Sequence, residues 1–171
     1  GAVTSSSKHA SQIGIDVLKN GGNAIDAAIA VGFALSVTFP NAGNLGGGGF
    51  MVIRTSNGEV KTIDFREVAP QNASRDMYLD ENGDVIGGMS LYTAHASGVP
   101  GTVAGFEYAH EKFGTKSWNY LLRPSIQLAT NGFELSFRDA MYLNASRSFF
   151  LRDEQAAKIF AKKDNYSVGD L

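Results

Sequence analysis

The chain has 171 residues, of which 43% are hydrophobic and 19% are charged, a composition typical of a folded globular protein. Its formal net charge of −2 gives no electrostatic reason to expect DNA, RNA or an anionic membrane as a partner. It contains no cysteine, which excludes a zinc–thiolate site, a disulfide framework and a cysteine nucleophile.

A helical hairpin is predicted at residues 7–39. Its first helix follows a serine cluster and ends at a Gly-Gly pair, and Asn23 is expected to cap the second helix with Asp26 as its capping-box partner. The second helix is rich in alanine and ends before Pro40. Its uncharged apolar run, residues 27–39, is shorter than the ~18–20 residues that cross a bilayer, so a buried helix is predicted.

A β-hairpin is predicted at residues 50–66, because an Asn-Gly turn between two β-rich runs is a strong hairpin signal. The first strand, residues 50–53, is apolar on both faces, which predicts burial between two layers. The second strand alternates, with Phe65 on its apolar face and Arg66 on its polar face.

After an irregular segment the chain is predicted to be mostly helical at residues 102–163. One helix lies near residues 118–131 and is expected to be interrupted or restarted at Pro124. The order of two helices, a hairpin and further helices predicts a layered α+β fold. The length suits one domain over residues 1–171.

Four consecutive glycines, residues 46–49, precede the first strand. Such a run is kept where backbone must approach backbone, or a ligand, more closely than a Cβ atom allows. A phosphate-binding loop is excluded, because the glycines follow a helix, lead into a strand and have no lysine beside them. Tight backbone packing and close approach to a ligand both remain open for these glycines.

Arg66 ends the second predicted strand, a short distance along the chain from the glycines. Its planar guanidinium can hold a carboxylate with two parallel hydrogen bonds. The alternative is a surface or structural salt bridge with Glu67 or Asp64. The position of Arg66, after an apolar strand and before the loop that contains Pro70, favours a binding site for a small-molecule carboxylate.

No metal, cofactor or catalytic residue is predicted within this chain. The three histidines, His9, His95 and His110, lack the spacing of a metal site. There is no Gly-x-Ser-x-Gly sequence, so a serine–histidine–acid triad is not expected.

Five segments together resemble the large subunit of γ-glutamyltranspeptidases, the glutathione hydrolases of the N-terminal-nucleophile hydrolase superfamily. They lie in the family's order and spacing and cover nearly the whole chain up to about residue 133. The segments are LKNGGNAIDAA (18–28), NLGGGGFM (44–51), IDFREVAP (63–70), GVPGTVAG (98–105) and PSIQLATNGF (124–133).

The resemblance implies a large-subunit fragment of a four-layer αββα sandwich, taken from a precursor that cuts itself into two subunits. The nucleophile would be the threonine freed at the start of the small subunit, so no catalytic residue is expected here and this chain alone should be inactive. Arg66 would hold the α-carboxylate of the γ-glutamyl group of glutathione or a related compound, which is passed to water, an amino acid or a peptide. The resemblance also implies the small subunit as partner and a periplasmic or extracellular location.

Two alternatives remain open on the sequence alone. A related enzyme on the same scaffold, such as a cephalosporin acylase or a poly-γ-glutamate-processing enzyme, would share these segments but act on another acyl substrate. A catalytically dead binding module would keep the fold and lack the nucleophile.

Overall fold

Eight α-helices and one two-stranded antiparallel sheet form most of the regular structure, in agreement with the predicted α+β class. The computed structural model describes all 171 residues. It contains two compact units, Gly1–Gly43 with Thr115–Leu171, and Asn44–Gly114. The single domain expected over residues 1–171 stays a prediction.

The first unit contains six of the helices. They are α1 (Lys8–Lys19), α2 (Ala24–Thr38), α5 (Trp118–Asn131), α6 (Phe137–Ala145), α7 (Arg147–Phe150) and α8 (Glu154–Phe160). The second unit contains the strands β1 (Phe50–Arg54) and β2 (Val60–Asp64) and the helices α3 (Met89–Tyr92) and α4 (Thr102–Phe113).

Helix α2 is the centre of the first unit, with α1 and α5 packed against it. Most of its side chains are buried, and its alanines let the neighbouring helices come close, as its composition predicted. Asn23 and Asp26 form the predicted capping box at its start. A core cluster of Ala10, Val31 and Ala34 joins α2 to α1.

Asp26 has a second role that local sequence did not predict. Its fully buried carboxylate accepts the Asn23 N–H at 2.8 Å, as a capping box requires. It also accepts the Thr115 N–H at 2.9 Å, the Thr115 hydroxyl at 2.5 Å and the Lys116 N–H at 3.2 Å. Burial raises the pKa of Asp26, but these hydrogen bonds together hold it below its usual value. The carboxylate therefore ties the start of α2 to the segment that precedes α5.

Helix α5 continues through Pro124, so the expected interruption there is wrong. A proline inside a helix costs one hydrogen bond and crowds the preceding turn, about 3 kcal/mol or more. Here the helix buries Leu121 and Ser125 on either side of the proline and packs against α2. This packing offsets the local cost, because tertiary contacts commonly override intrinsic propensity.

The hairpin of the second unit pairs Phe50 with Asp64 and Arg54 with Val60 in a regular antiparallel register. Residues opposite one another lie on the same face, so one face carries Phe50 and Val52, which are 64% and 74% exposed. The other face carries the buried Ile53. The prediction that β1 is buried on both faces is therefore wrong for this chain, because the residues of this chain cover only one face of the hairpin.

The glycines pack against the segment that follows β2. The Gly49 and Phe65 backbones exchange two hydrogen bonds, of 3.0 and 3.4 Å, which continue the hairpin ladder past β2. A Cβ atom on Gly48 would lie 2.6 Å from the Phe65 carbonyl oxygen and 2.6 Å from a carboxylate oxygen of Glu67. Of the two interpretations, tight backbone packing therefore applies at Gly48.

Replacing Asp26 with asparagine should lower the free energy of unfolding by about 2–4 kcal/mol, because the amide keeps one acceptor oxygen and turns an N–H₂ group toward donors. The loss should shrink below about pH 4, the ordinary pKa of an aspartate. A carboxylate whose pKa is lowered by folding stabilises the fold above its unfolded-state pKa, and this contribution is lost as pH falls through the folded-state value. Chemical denaturation between pH 3 and 7 measures both effects.

Asp139→Asn is the matched control, because Asp139 completes a capping box on α6 but accepts only from Ser136. It should cost about 1 kcal/mol or less. Equal losses for the two variants would show that Asp26 acts only as a capping residue.

Gly48→Ala should destabilise the protein by about 1–3 kcal/mol, because the added methyl would overlap backbone that is itself hydrogen bonded. Gly46→Ala is the control within the same run, since a Cβ there would have no atom within 4 Å and the φ angle of Gly46 is not positive. It should change stability by about 0.5 kcal/mol at most. Thermal unfolding of both variants provides the comparison, and an equal effect at the two positions would contradict tight packing at Gly48.

Candidate functional site

Arg66 lies two residues beyond the end of β2, and its side chain is 64% exposed. Its Nε donates to a carboxylate oxygen of Glu67 at 3.4 Å, and its backbone N–H donates to the side chain of Asp64 at 3.0 Å. Of the two salt-bridge partners that the sequence suggested, Glu67 pairs with the guanidinium, whereas Asp64 binds the backbone N–H. An exposed ion pair of this length contributes about 0–1 kcal/mol, so it does not commit the guanidinium to a structural role.

The backbone that carries Arg66 is held from several directions, although the side chain is exposed. Phe65 precedes it and is paired with Gly49, while its ring meets the ring of Phe106 on α4 at 5.8 Å between centroids. On the other side, Val68 exchanges two backbone hydrogen bonds with Val99, of 2.8 and 3.3 Å. Arg66 therefore has a long, exposed polar side chain on a backbone that is held in place on both sides.

Helix α4 begins against residues 44–49, here called the glycine segment, and helps to hold this backbone in place. Its N-cap residue, Gly101, offers no side chain, and the carbonyl of Gly47 accepts the N–H groups of Gly101 and Thr102 at 2.8 and 3.0 Å. The amide oxygen of Asn44 accepts the Gly47 N–H at 2.8 Å and the Thr102 hydroxyl at 2.9 Å. Sequence reasoning singled out neither Asn44 nor Thr102 for a role, although both lie in segments that carry the family resemblance.

An open cleft of about 450 Å³ lies beside β2 and is lined by Asp64 and Phe65, but not by Arg66. Within this chain the guanidinium therefore points to an exposed surface rather than into a closed pocket. A ligand held by Arg66 would need further walls to exclude water from the ion pair.

The histidines do not come together. His9 lies on α1 and packs edge-on against Phe133, His95 lies in a short 3₁₀ turn, and His110 lies on α4. The structure contains no group of three or more histidine, cysteine, aspartate or glutamate residues that could hold a metal ion. No helix has both the length and the hydropathy needed to cross a membrane.

Comparison with known proteins identifies the family. The family model described as gamma-glutamyltranspeptidase matches residues 10–171. The glutathione hydrolase proenzyme of Escherichia coli is 56% identical over 133 residues, covering 78% of this chain and 23% of the relative. The glutathione hydrolase proenzyme of Pseudomonas sp. is 50% identical over 164 residues, covering 95% of this chain and 28% of the relative.

The fold agrees with this match. The crystal structure of Helicobacter pylori gamma-glutamyltranspeptidase superposes with a TM-score of 0.95 at 49% identity, covering 99% of this chain and 49% of that chain. This chain spans about a quarter of the length of the curated relatives it matches. With the family model matched over nearly all of its residues, the chain belongs to the γ-glutamyltranspeptidase family.

Proposed function

We propose that this chain is part of a γ-glutamyltransferase and glutathione hydrolase, and that Arg66 holds the α-carboxylate of the γ-glutamyl donor. The family membership and the names of relatives at up to 56% identity support the activity. The geometry of Arg66 is the observation that carries the site assignment, because it presents an exposed guanidinium on a fixed backbone with one weak ion-pair partner.

The donor in this proposal is glutathione or another γ-glutamyl amide, whose glutamyl end carries a free α-carboxylate. A carboxylate held by the fork of an arginine receives two parallel, charge-assisted hydrogen bonds, which fix its orientation as well as its position. Arg66 would therefore orient the γ-carbonyl carbon toward the nucleophile. Orientation of this kind lowers the barrier by bringing the reacting atoms together before reaction.

The chemistry itself belongs to the rest of the complete protein. The small subunit, released from the same precursor, would supply the threonine that carries the γ-glutamyl group before transfer to water, an amino acid or a peptide. The residues of this chain contribute binding and orientation only, and we assign no catalytic residue among them. We further propose, from the family resemblance alone, that the complete protein acts in the periplasm or outside the cell.

The alternatives are less well supported. A cephalosporin acylase or a poly-γ-glutamate-processing enzyme would act on another acyl substrate, whereas the Escherichia coli and Pseudomonas relatives, at 56% and 50% identity, are named glutathione hydrolases. A catalytically dead module would keep Arg66 and lose turnover. Assay of the complete protein on γ-glutamyl-p-nitroanilide, glutaryl-cephalosporin and polyglutamate distinguishes the three functions.

Replacing Arg66 with lysine in the complete protein should raise the KM for γ-glutamyl donors about ten- to a hundredfold and leave self-cleavage intact. Lysine keeps the charge but loses the planar fork, and one hydrogen bond to a charged group contributes about 1.5–3 kcal/mol. Arg66→Ala should raise KM further, because the bound carboxylate would lack a counter-charge. Steady-state kinetics and the ratio of precursor to cleaved subunits measure the two properties.

Arg75→Lys is the matched control. Arg75 is also an exposed arginine paired with the next residue, Asp76, at 3.7 Å. Its replacement should leave KM and self-cleavage unchanged. Normal donor binding in Arg66→Lys, or failure of that variant to mature, would show that Arg66 has a structural role.

The 171-residue chain expressed alone should show no γ-glutamyl hydrolysis or transfer. In this proposal the nucleophile, its base and the donors that stabilise the oxyanion all come from the rest of the complete protein. Release of p-nitroaniline from γ-glutamyl-p-nitroanilide is a sensitive assay, with an equally purified blank to exclude a contaminating enzyme. Turnover by the isolated chain would require a nucleophile within these residues.

A further inference from the structure

We propose that Thr102 and Asn44 are positioning residues for Arg66, which act by locking the glycine segment against the start of α4. This proposal rests on the proposed function, because it assigns the two side chains to the site in which Arg66 binds the donor carboxylate. The hydrogen bond that joins them lies at the start of α4, and in this proposal its effect reaches Arg66 through backbone.

The first step is the hydrogen bond that joins Thr102 to Asn44. The Thr102 side chain is buried, with 5% of the residue exposed, and its hydroxyl donates to the amide oxygen of Asn44 at 2.9 Å. The same oxygen accepts the Gly47 N–H at 2.8 Å, so one acceptor holds the turn at residues 44–47 and the helix start together. A buried hydroxyl without an acceptor destabilises the fold, so the Thr102 hydroxyl favours the arrangement in which Asn44 accepts its hydrogen bond.

The second step connects the Thr102–Asn44 hydrogen bond to the backbone beside Arg66. The Gly47 carbonyl accepts two N–H groups at the start of α4, which fixes the backbone from which Gly48 and Gly49 continue. Gly49 then pairs with Phe65, and Gly48 has no space for a Cβ against the Phe65 carbonyl. A displacement of residues 44–47 must therefore move the backbone next to Arg66.

The third step is a direct contact from the helix side. A Cβ atom on Gly101, the N-cap of α4, would lie 3.3 Å from the Arg66 carbonyl oxygen, so the helix start lies close to the arginine's own backbone. Thr102 follows Gly101 immediately, and its hydroxyl bond to Asn44 fixes this helix end on the glycine segment. Arg66 is thus held between the two elements that the Thr102–Asn44 bond joins.

The test uses the complete, matured protein and γ-glutamyl-p-nitroanilide as donor. Thr102→Val removes the hydroxyl and keeps the branched shape, and it should raise KM about three- to tenfold, as expected for loss of one neutral hydrogen bond. The kcat should change by less than about twofold, because the nucleophile is untouched. Thr102→Ser restores the hydroxyl and should restore KM.

A double-mutant cycle distinguishes positioning from general destabilisation. If Thr102 acts through Arg66, then Thr102→Val combined with Arg66→Lys should have the KM of Arg66→Lys alone, within about twofold. Multiplicative effects in the double variant would overturn the proposal. Thr38→Val is the control, since this threonine is 2% exposed and donates its hydroxyl within α2, to Ala34 at 2.9 Å. It should lower thermal stability without changing KM.

If Thr102→Val does not mature, Asn44 provides the same test from the acceptor side. Asn44→Leu removes the acceptor and should raise KM, whereas Asn44→Asp keeps the oxygen and should raise it less. An unchanged KM in Asn44→Leu or in Thr102→Val, with an active parent protein, overturns the positioning role and leaves the proposed function intact. A parent protein that does not cleave the donor overturns both proposals.

Discussion

The close approach of the glycine backbone at residues 47–49 to the backbone at residues 65–67 is the constraint on which the second unit depends. It continues the hairpin ladder beyond β2 through the pairing of Gly49 with Phe65. In the same place, the Gly47 carbonyl accepts the N–H groups of the first residues at the start of α4. A Cβ atom on Gly48 would overlap the backbone at residues 65–67, and one on Gly101 would overlap the Phe65 carbonyl oxygen, so the absence of a side chain at both positions lets these segments meet.

This arrangement supports the binding role proposed for Arg66, although its side chain is exposed. Long side chains lose rotamer freedom when they bind a ligand, and that cost is smaller when the backbone is already fixed. At Arg66 the backbone is fixed by neighbours on both sides, while the guanidinium itself keeps only a weak contact with Glu67. Family membership then gives this geometry a chemical meaning, since a γ-glutamyl donor carries the α-carboxylate that such a fork would hold.

Local signals in the sequence predicted the local structure well. The Asn23–Asp26 capping box, the Asn-Gly turn and the pairing of the two hairpin strands depend on residues a few positions apart. What sequence reasoning missed is long-range. The bonds from Thr115 and Lys116 to Asp26 and the bond from Thr102 to Asn44 join residues 89, 90 and 58 positions apart. No local pattern encodes which distant donor will meet a given acceptor.

The incorrect expectations have the same origin. The run at residues 50–53 is apolar on both faces, yet Phe50 and Val52 are exposed, since periodicity records which residues suit burial and not what covers them. Pro124 carries a local helix-breaking signal, and the packing of α5 on α2 outweighs it. Arg66 was chosen as a candidate because its chemistry is visible in the sequence, whereas the role proposed for Asn44 and Thr102 depends on a long-range contact.

In the proposed site, a backbone fixed by the glycine run presents the Arg66 guanidinium to the donor carboxylate. A crystal structure of the complete protein with bound L-glutamate tests this claim most directly. We expect two Arg66 nitrogen atoms at about 2.7–2.9 Å from the two α-carboxylate oxygens, with the contacts of residues 47–49 unchanged. A glutamate whose α-carboxylate is held elsewhere, with Arg66 still paired only with Glu67, would contradict it.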